Sequence, residues 1–277
     1  MDLKKAGLAS EVIGLEQNAA HAARAVELGL VDRIGEKDEA LKTSDLIILA
    51  IPVNALSKLL PSVLDKVHKD AVVMDSGSTK SLICRAIAHH PKRDQFVAAH
   101  PIAGTENSGP EAAFEGLFRN KTNIICERDK SSVHALDVVG QVFDALGMNT
   151  IFMEPEEHDK HVAYVSHLSH VSSFLLGQTV LDIERDEKNI FALAGSGFAS
   201  TVRLAKSSPD MWAPIFEQNA EYLSQALLEY IMHLQKFQYY LMKRDAKELH
   251  RIMADANRIR EILNGIEHKQ TKQQIAK

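Results

Sequence analysis

Short apolar runs alternate with amphipathic stretches through the first half of the chain. Val12–Leu15 reads as a strand. Asn18 is placed to cap a helix through Leu28, with Gly29 just past its end. Residues Asp45–Ile51 form a continuous apolar run stopped by Pro52, as expected of a strand covered on both faces of a parallel sheet. Leu56–Val67 has helical spacing, and Pro61 within it predicts a kink or a restart. Strands follow at Ala71–Met74 and Phe96–Ala99, separated by a helix over Lys80–His89. Two more strands, Thr122–Cys126 and Asn149–Met153, flank a helix near Val133–Leu146. This alternation predicts a doubly wound α/β layer.

The pattern changes at Glu154-Pro155, after which helical spacing takes over: His158–Glu184, Asp210–Met242, and Ala246–Ile266 with Asp245 as its cap. Leu223, Leu227, Leu228, Ile231 and Leu234 form a broad apolar stripe suited to pairing across a dimer. The polar tail Lys269–Lys277 is expected to fray. The expected organisation is a Rossmann-like domain over 1–153 and an all-helical domain over 154–277.

A net charge of −5 offers no positive field for nucleic acid or an anionic membrane. No apolar run is long enough to span a bilayer. Two cysteines, Cys84 and Cys126, cannot build a disulfide framework and fit a reducing compartment, hence the cytoplasm.

The opening Asp2–Leu8 reads as the last turns of a helix with Gly7 as its stop, so Val12–Leu15 takes the position of a second strand. Glu16, at its end, is where an acidic side chain takes ribose hydroxyls and disfavours a 2′-phosphate, favouring NAD over NADP. The first strand and its G-x-G-x-x-G turn would lie upstream, which makes the domain N-terminally incomplete by expectation.

Asp75-Ser76-Gly77-Ser78-Thr79-Lys80 follows one strand and opens a helix. Ser78 there is either a helix cap or a hydroxyl facing a ligand crevice. His100 ends the next strand, in His100-Pro101-Ile102-Ala103-Gly104-Thr105-Glu106, and histidine is a suitable proton acceptor near neutrality. His158, His161, His167 and His170 share a helical stretch, but H-E-x-x-H is absent and no metal is expected. Arg203 presents a fork suited to a carboxylate, or to a structural salt bridge, and Trp212 suits a core.

Taken together, Asp75-x-Gly77-Ser78-x-Lys80, His100–Glu106, Ser166-His167-Leu168-x-His170, Gly197-Phe198 to Arg203 and Met211-Trp212 resemble the prephenate dehydrogenase family over nearly the whole chain. The resemblance implies an NAD-binding Rossmann domain, a helical homodimerisation domain, and oxidative decarboxylation of prephenate to 4-hydroxyphenylpyruvate in tyrosine biosynthesis. Carried over by motif, His100 would deprotonate the ring 4-hydroxyl and Ser78 would bond it. Arg203 would clamp a carboxylate, while His170, Ser166, Thr105, Glu106 and Trp212 would line the pocket. Glu16, Ile51, Pro52, Ser76 and Gly77 would meet the cofactor. Some members carry an acidic residue where this chain has Ser200, so an ion pair from that position to Arg203 is not expected. Feedback through a small ferredoxin-like domain is not expected either. The rival readings are arogenate as substrate, a hydroxy-acid dehydrogenase using Lys206, and a non-catalytic dimeric binding protein.

Overall fold

In the computed structural model, residues 1–187 and 189–265 are described. Among the described residues there are seven strands: β1 Ile13–Gly14, β2 Arg33–Ile34, β3 Leu46–Leu49, β4 Val72–Asp75, β5 Phe96–Pro101, β6 Thr122–Cys126 and β7 Asn149–Met153. Before β1 comes α1 Asp2–Lys5, and between the strands run α2 Ala19–Glu27, α3 Lys37–Thr43, α4 Val53–Lys66, α5 Ser81–Ala86 and α6 Val133–Ala145. After β7 come α7 Pro155–Val162, α8 Leu168–Asp186, α9 Ser196–Thr201, α10 Pro209–Gln218, α11 Ala220–Met242 and α12 Ala246–Ala256.

Local chemistry explains the boundaries. Asn18 Oδ1 accepts from the Ala20 and His21 amides and starts α2, and Gly29 ends it at φ +65°, a left-handed conformation suited to glycine. Asp245 Oδ1 accepts from the Glu248 amide and starts α12. Pro61 sits inside α4 without breaking it, and α4 begins at Val53, straight after Pro52. The stretch expected as one helix over Asp210–Met242 is two, because Asn219 leaves helical geometry and turns its side chain inward. Ile266 and the tail from Lys269 lie outside the described residues.

The strands form a five-stranded sheet in the order β3-β4-β5-β6-β7 and a separate parallel pair, β1-β2. The pair's second strand, Arg33–Ile34, carries too short an apolar pattern to have been anticipated. The large sheet is not wholly parallel: β6 runs antiparallel to β5, with Ala99 opposite Ile125 and His100 opposite Ile124. Among the described residues no strand joins the β1-β2 pair to the larger sheet, as the first strand of a doubly wound order would. The expectation that β3 is covered on both faces fails at Ile48, which is 42% exposed.

The chain divides into two compact units, Met1–Tyr222 and the residues from Leu223 on. The first therefore extends past the last strand. Trp212 and Ile215 of α10 join Leu56, Leu60, Leu64, Ile83 and Phe96 in one core on one face of the sheet. The other face packs Val72, Met74, Val97, Ala99 and Ile125 against Val139 and Phe143 of α6. Each fully buried leucine stabilises the fold by about 1.5–3 kcal/mol relative to exposure. In the second unit, Leu228, Ile231, Leu234 and Leu241 of α11 remain exposed.

Candidate active site

Side chains alternate along β5, so His100 continues the face that carries Phe96 and Ala98. It stands at the strand's carboxyl end, where open α/β sheets bind ligands. Its Nδ1 lies 2.8 Å from His158 Nε2 on α7, and the two rings meet edge-on. His158 Nδ1 lies 2.7 Å from Asp159 Oδ1. His158 and Asp159 are both buried.

Asp159 also organises the neighbouring loop. Its Oδ1 accepts from the Lys80 amide at 2.8 Å and its Oδ2 from the Ser81 amide at 2.9 Å. The start of α5 is thus capped from α7, which excludes the reading of Ser78 as its N-cap. Ser78 is half-buried in the loop between β4 and α5. As β4 is paired in parallel with β5, Ser78 just past β4 and His100 near the end of β5 belong to the carboxyl ends of neighbouring strands. Beneath them, Lys80 and Asp75 form an ion pair with neither side chain exposed. Asp75 further accepts from the Gly77 amide at 2.8 Å and the Ala99 amide at 3.1 Å.

A second group is built on the helices. His170 Nδ1–H donates to the Ser166 carbonyl at 3.0 Å, and its ring stacks on Trp212 with centroids 3.5 Å apart. Trp212 is buried, and its Nε1 has no protein partner. His167 packs edge-on against the same indole and takes a hydrogen bond from Asn219 Nδ2 at 3.0 Å. Arg203 Nη1 donates to Glu106 Oε2 at 2.7 Å, so Glu106 holds the fork where no acidic residue stands at position 200.

Electrostatics connect the two groups. Burial, reinforced by the Lys80 charge and by repulsion whenever the neighbouring His158 or His167 is protonated, holds His100 well below the usual histidine range. Burial drives His167 down to about 4. Burial also lowers His170, opposed by its bond to Ser166 and reinforced by the Arg203 charge. His100 is therefore neutral near neutrality and carries a lone pair for a proton. A neutral base, a hydroxyl on the adjacent strand end and a guanidinium suit proton abstraction from an anionic substrate.

The cofactor candidates lie elsewhere along the strand ends. Glu16 is exposed past β1 and its Oε1 accepts from the Asn18 amide at 2.8 Å. Pro52 is exposed at the start of α4, which no side chain caps, with Ile51 half-buried before it. Ser76 donates its amide to the Leu49 carbonyl, and Gly77 is buried. Thr105 is exposed, its Oγ1 accepting from the Asn107 amide. Among the described residues no cluster of three or more His, Cys, Asp or Glu side chains is arranged to hold a metal. Sequence reasoning passed over Asp159 and Asn219, quoted Lys80 as a motif residue without giving it a role, and read His158 only as a helical histidine. The adjacent His158-Asp159 at the start of the helical half is the signal that could have found them.

The model of the prephenate dehydrogenase nucleotide-binding domain matches residues 1–152, and that of the prephenate dehydrogenase dimerization domain matches residues 154–255. Prephenate dehydrogenase of Bacillus subtilis is 30% identical over 267 residues, 94% of this chain and 71% of that protein. Among solved structures, prephenate dehydrogenase from Aquifex aeolicus, in complex with hydroxyphenyl propionate and NAD+, superposes with a TM-score of 0.86 at 28% identity, covering 95% of this chain and 92% of the other. Synechocystis arogenate dehydrogenase superposes with a TM-score of 0.72 at 27% identity, covering 95% and 94%.

Proposed function

The chain belongs to the prephenate dehydrogenase family, and from that premise we propose that it oxidises and decarboxylates prephenate to 4-hydroxyphenylpyruvate with NAD, a step of tyrosine biosynthesis. The observation that carries the reading is His100: a neutral, anchored imidazole at the carboxyl end of β5, within electrostatic reach of the group that holds Arg203.

The residues at the strand ends fit NAD in part. Exposed Glu16 past β1 suits the adenosine ribose diol, and the uncapped start of α4 behind Ile51 and Pro52 leaves amides for polar groups of the cofactor. Ser76 and Gly77 would border it on the side of the reacting ring. When bound, NAD accepts the hydride that leaves C4 of the substrate ring.

His100 takes the proton of the C4 hydroxyl as the carbonyl forms, a contribution of about 10²–10⁴-fold for a well-placed base. Ser78 bonds the same hydroxyl and orients it. Arg203 binds a substrate carboxylate and so competes with its bond to Glu106. Ser166, Thr105, His170 and Trp212 shape the pocket. Loss of carbon dioxide restores aromaticity, so the protein needs no electrophile at the departing carboxylate.

Residues 1–153 serve as the nucleotide-binding part and 154–277 as the helical part through which two copies pair. The exposed Leu228, Ile231, Leu234 and Leu241 on α11 support that pairing. No helix among the described residues is long and apolar enough to cross a membrane. The buried free thiols Cys84 and Cys126 accord with a cytoplasmic setting.

The test is steady-state kinetics on the purified chain, following NADH with prephenate and with arogenate as competing substrates. Prephenate-dependent NADH formation is expected, and its absence would overturn the reading. His100→Asn should lower kcat by about 10²–10⁴-fold, whereas Arg203→Ala should chiefly raise KM. Equal KM defects in the two variants would contradict these roles.

A further inference from the structure

We infer that His158 and Asp159 are positioning residues that fix the tautomer of His100 and so decide which ring nitrogen receives the substrate proton. The inference rests on the proposed function for the identity of the proton, but its geometry stands without it.

Hydrogen-bond polarity is set at Asp159 and passes outward through His158 to His100. An ionised carboxylate can only accept. Burial alone would raise the Asp159 carboxyl, but its bonds from His158 and the Ser81 amide outweigh this and hold it below the ordinary range. The nitrogen facing it, His158 Nδ1 at 2.7 Å, must then carry hydrogen. His158 is fully buried, and that burial disfavours its cation. The ring is therefore neutral, and its Nε2 has only a lone pair to offer. His100 Nδ1, at 2.8 Å, is left as the donor. This leaves His100 Nε2 bare and able to take a proton. Reversal of any link reverses every link beyond it.

Asp159 is held in place for this duty. The Lys80 and Ser81 amides bind its two carboxylate oxygens, and Asn219 Nδ2 binds its backbone carbonyl at 2.7 Å. The relay also answers the charge that catalysis creates. Buried Asp75 and Asp159 with Lys80 carry one net negative charge, which the proton taken up by His100 neutralises. The His100 imidazolium keeps its Nδ1–H bond to His158, whose other side faces the Asp159 carboxylate. Loss of carbon dioxide leaves the ring oxygen as a phenolate, and the proton held by His100 returns to that oxygen, which gives the phenol and restores the base.

Asp159→Ala tests the polarity. It removes the acceptor that holds hydrogen on His158 Nδ1; His158 then takes the Nε2–H form that an unconstrained neutral histidine favours, donates to His100 Nδ1 and leaves hydrogen on His100 Nε2. The readout is long-range proton–nitrogen NMR of the imidazoles above neutral pH, with His100 assigned by the signal lost in His100→Gln. Hydrogen should sit on Nδ1 of His100 in the wild type and on Nε2 in Asp159→Ala. With prephenate and NAD, kcat should fall about 10²–10⁴-fold while KM changes less than about threefold. An unchanged His100 tautomer in Asp159→Ala, or a loss carried by KM alone, would overturn the inference. If Asp159→Ala does not fold, His158→Gln, which can accept from His100 and donate to Asp159, should retain kcat within about tenfold. His158→Leu, which can do neither, should not, and equal kcat in the two would overturn it. A wild type inactive on prephenate would sink the functional reading and leave the NMR arm intact.

Discussion

Removing the Lys80 ammonium while leaving Asp75 in place tests the electrostatic floor of the site. The two side chains are wholly buried, and Asp75 has only the Gly77 and Ala99 amides as further donors. Lys80→Met strands a carboxylate in the core, and breaking a buried pair in this way costs about 3–5 kcal/mol. For a unit of this size that corresponds to a fall in Tm of about 6–20 °C. Urea unfolding followed by the fluorescence of Trp212, the sole and buried tryptophan, measures it. Adding Asp75→Asn should restore part of the loss. It cannot restore all of it, since one carboxamide oxygen replaces two acceptors and an unmet buried amide costs about 1–3 kcal/mol. A loss below about 1 kcal/mol for Lys80→Met, or a double variant weaker than the single one, would refute the reasoning.

Two further outcomes are expected. A Cβ at Gly77 would lie 2.9 Å from Asp75 Oδ2 and 3.2 Å from both Ile83 Cδ1 and Val53 Cγ1; Gly77→Ala should therefore cost about 1–3 kcal/mol by calorimetry, and unchanged stability would contradict the close packing. Burial holds folded His167 at about 4, while the unfolded chain titrates near 6.5, so the unfolded state binds this proton first and stability intact above pH ~6.5 is lost as pH falls towards ~4. At pH ~5 the loss from this residue is about 2 kcal/mol, and His167→Gln, which still accepts from Asn219, should flatten the pH dependence by that amount; parallel stability–pH curves would argue against it.

Much of the fold was legible because its causes are local. Thr122–Cys126 and Asn149–Met153 are strands over the residues expected, and Asn18, Gly29 and Asp245 bound their helices as read. A side chain capping amides two or three residues away, or an apolar run of strand length, is a short-range event that neighbouring residues decide. The motifs also carried the family, since Asp75–Lys80, His100–Glu106 and Ser166–His170 occur as contiguous strings.

Other features depend on partners that no local pattern names. The direction of β6 against β5, the place of Trp212 in the core beside Leu56, and the bond between Arg203 and Glu106 were left to the tertiary fold. Asp159 makes the point most directly. A helix beginning at Ser81 looks in sequence as though Ser78 should cap it, yet the cap is a carboxylate 78 residues further on. The amides at a helix start specify only that an acceptor is needed, and packing of α7 beside α5 decides which acceptor arrives. In this chain the residue that arrives also carries the histidine on which His100 leans. The sequence by itself thus determined the elements and the chemical groups; the fold alone decided which of those groups meet, because hydrogen-bond need is a local property and its satisfaction is a spatial one.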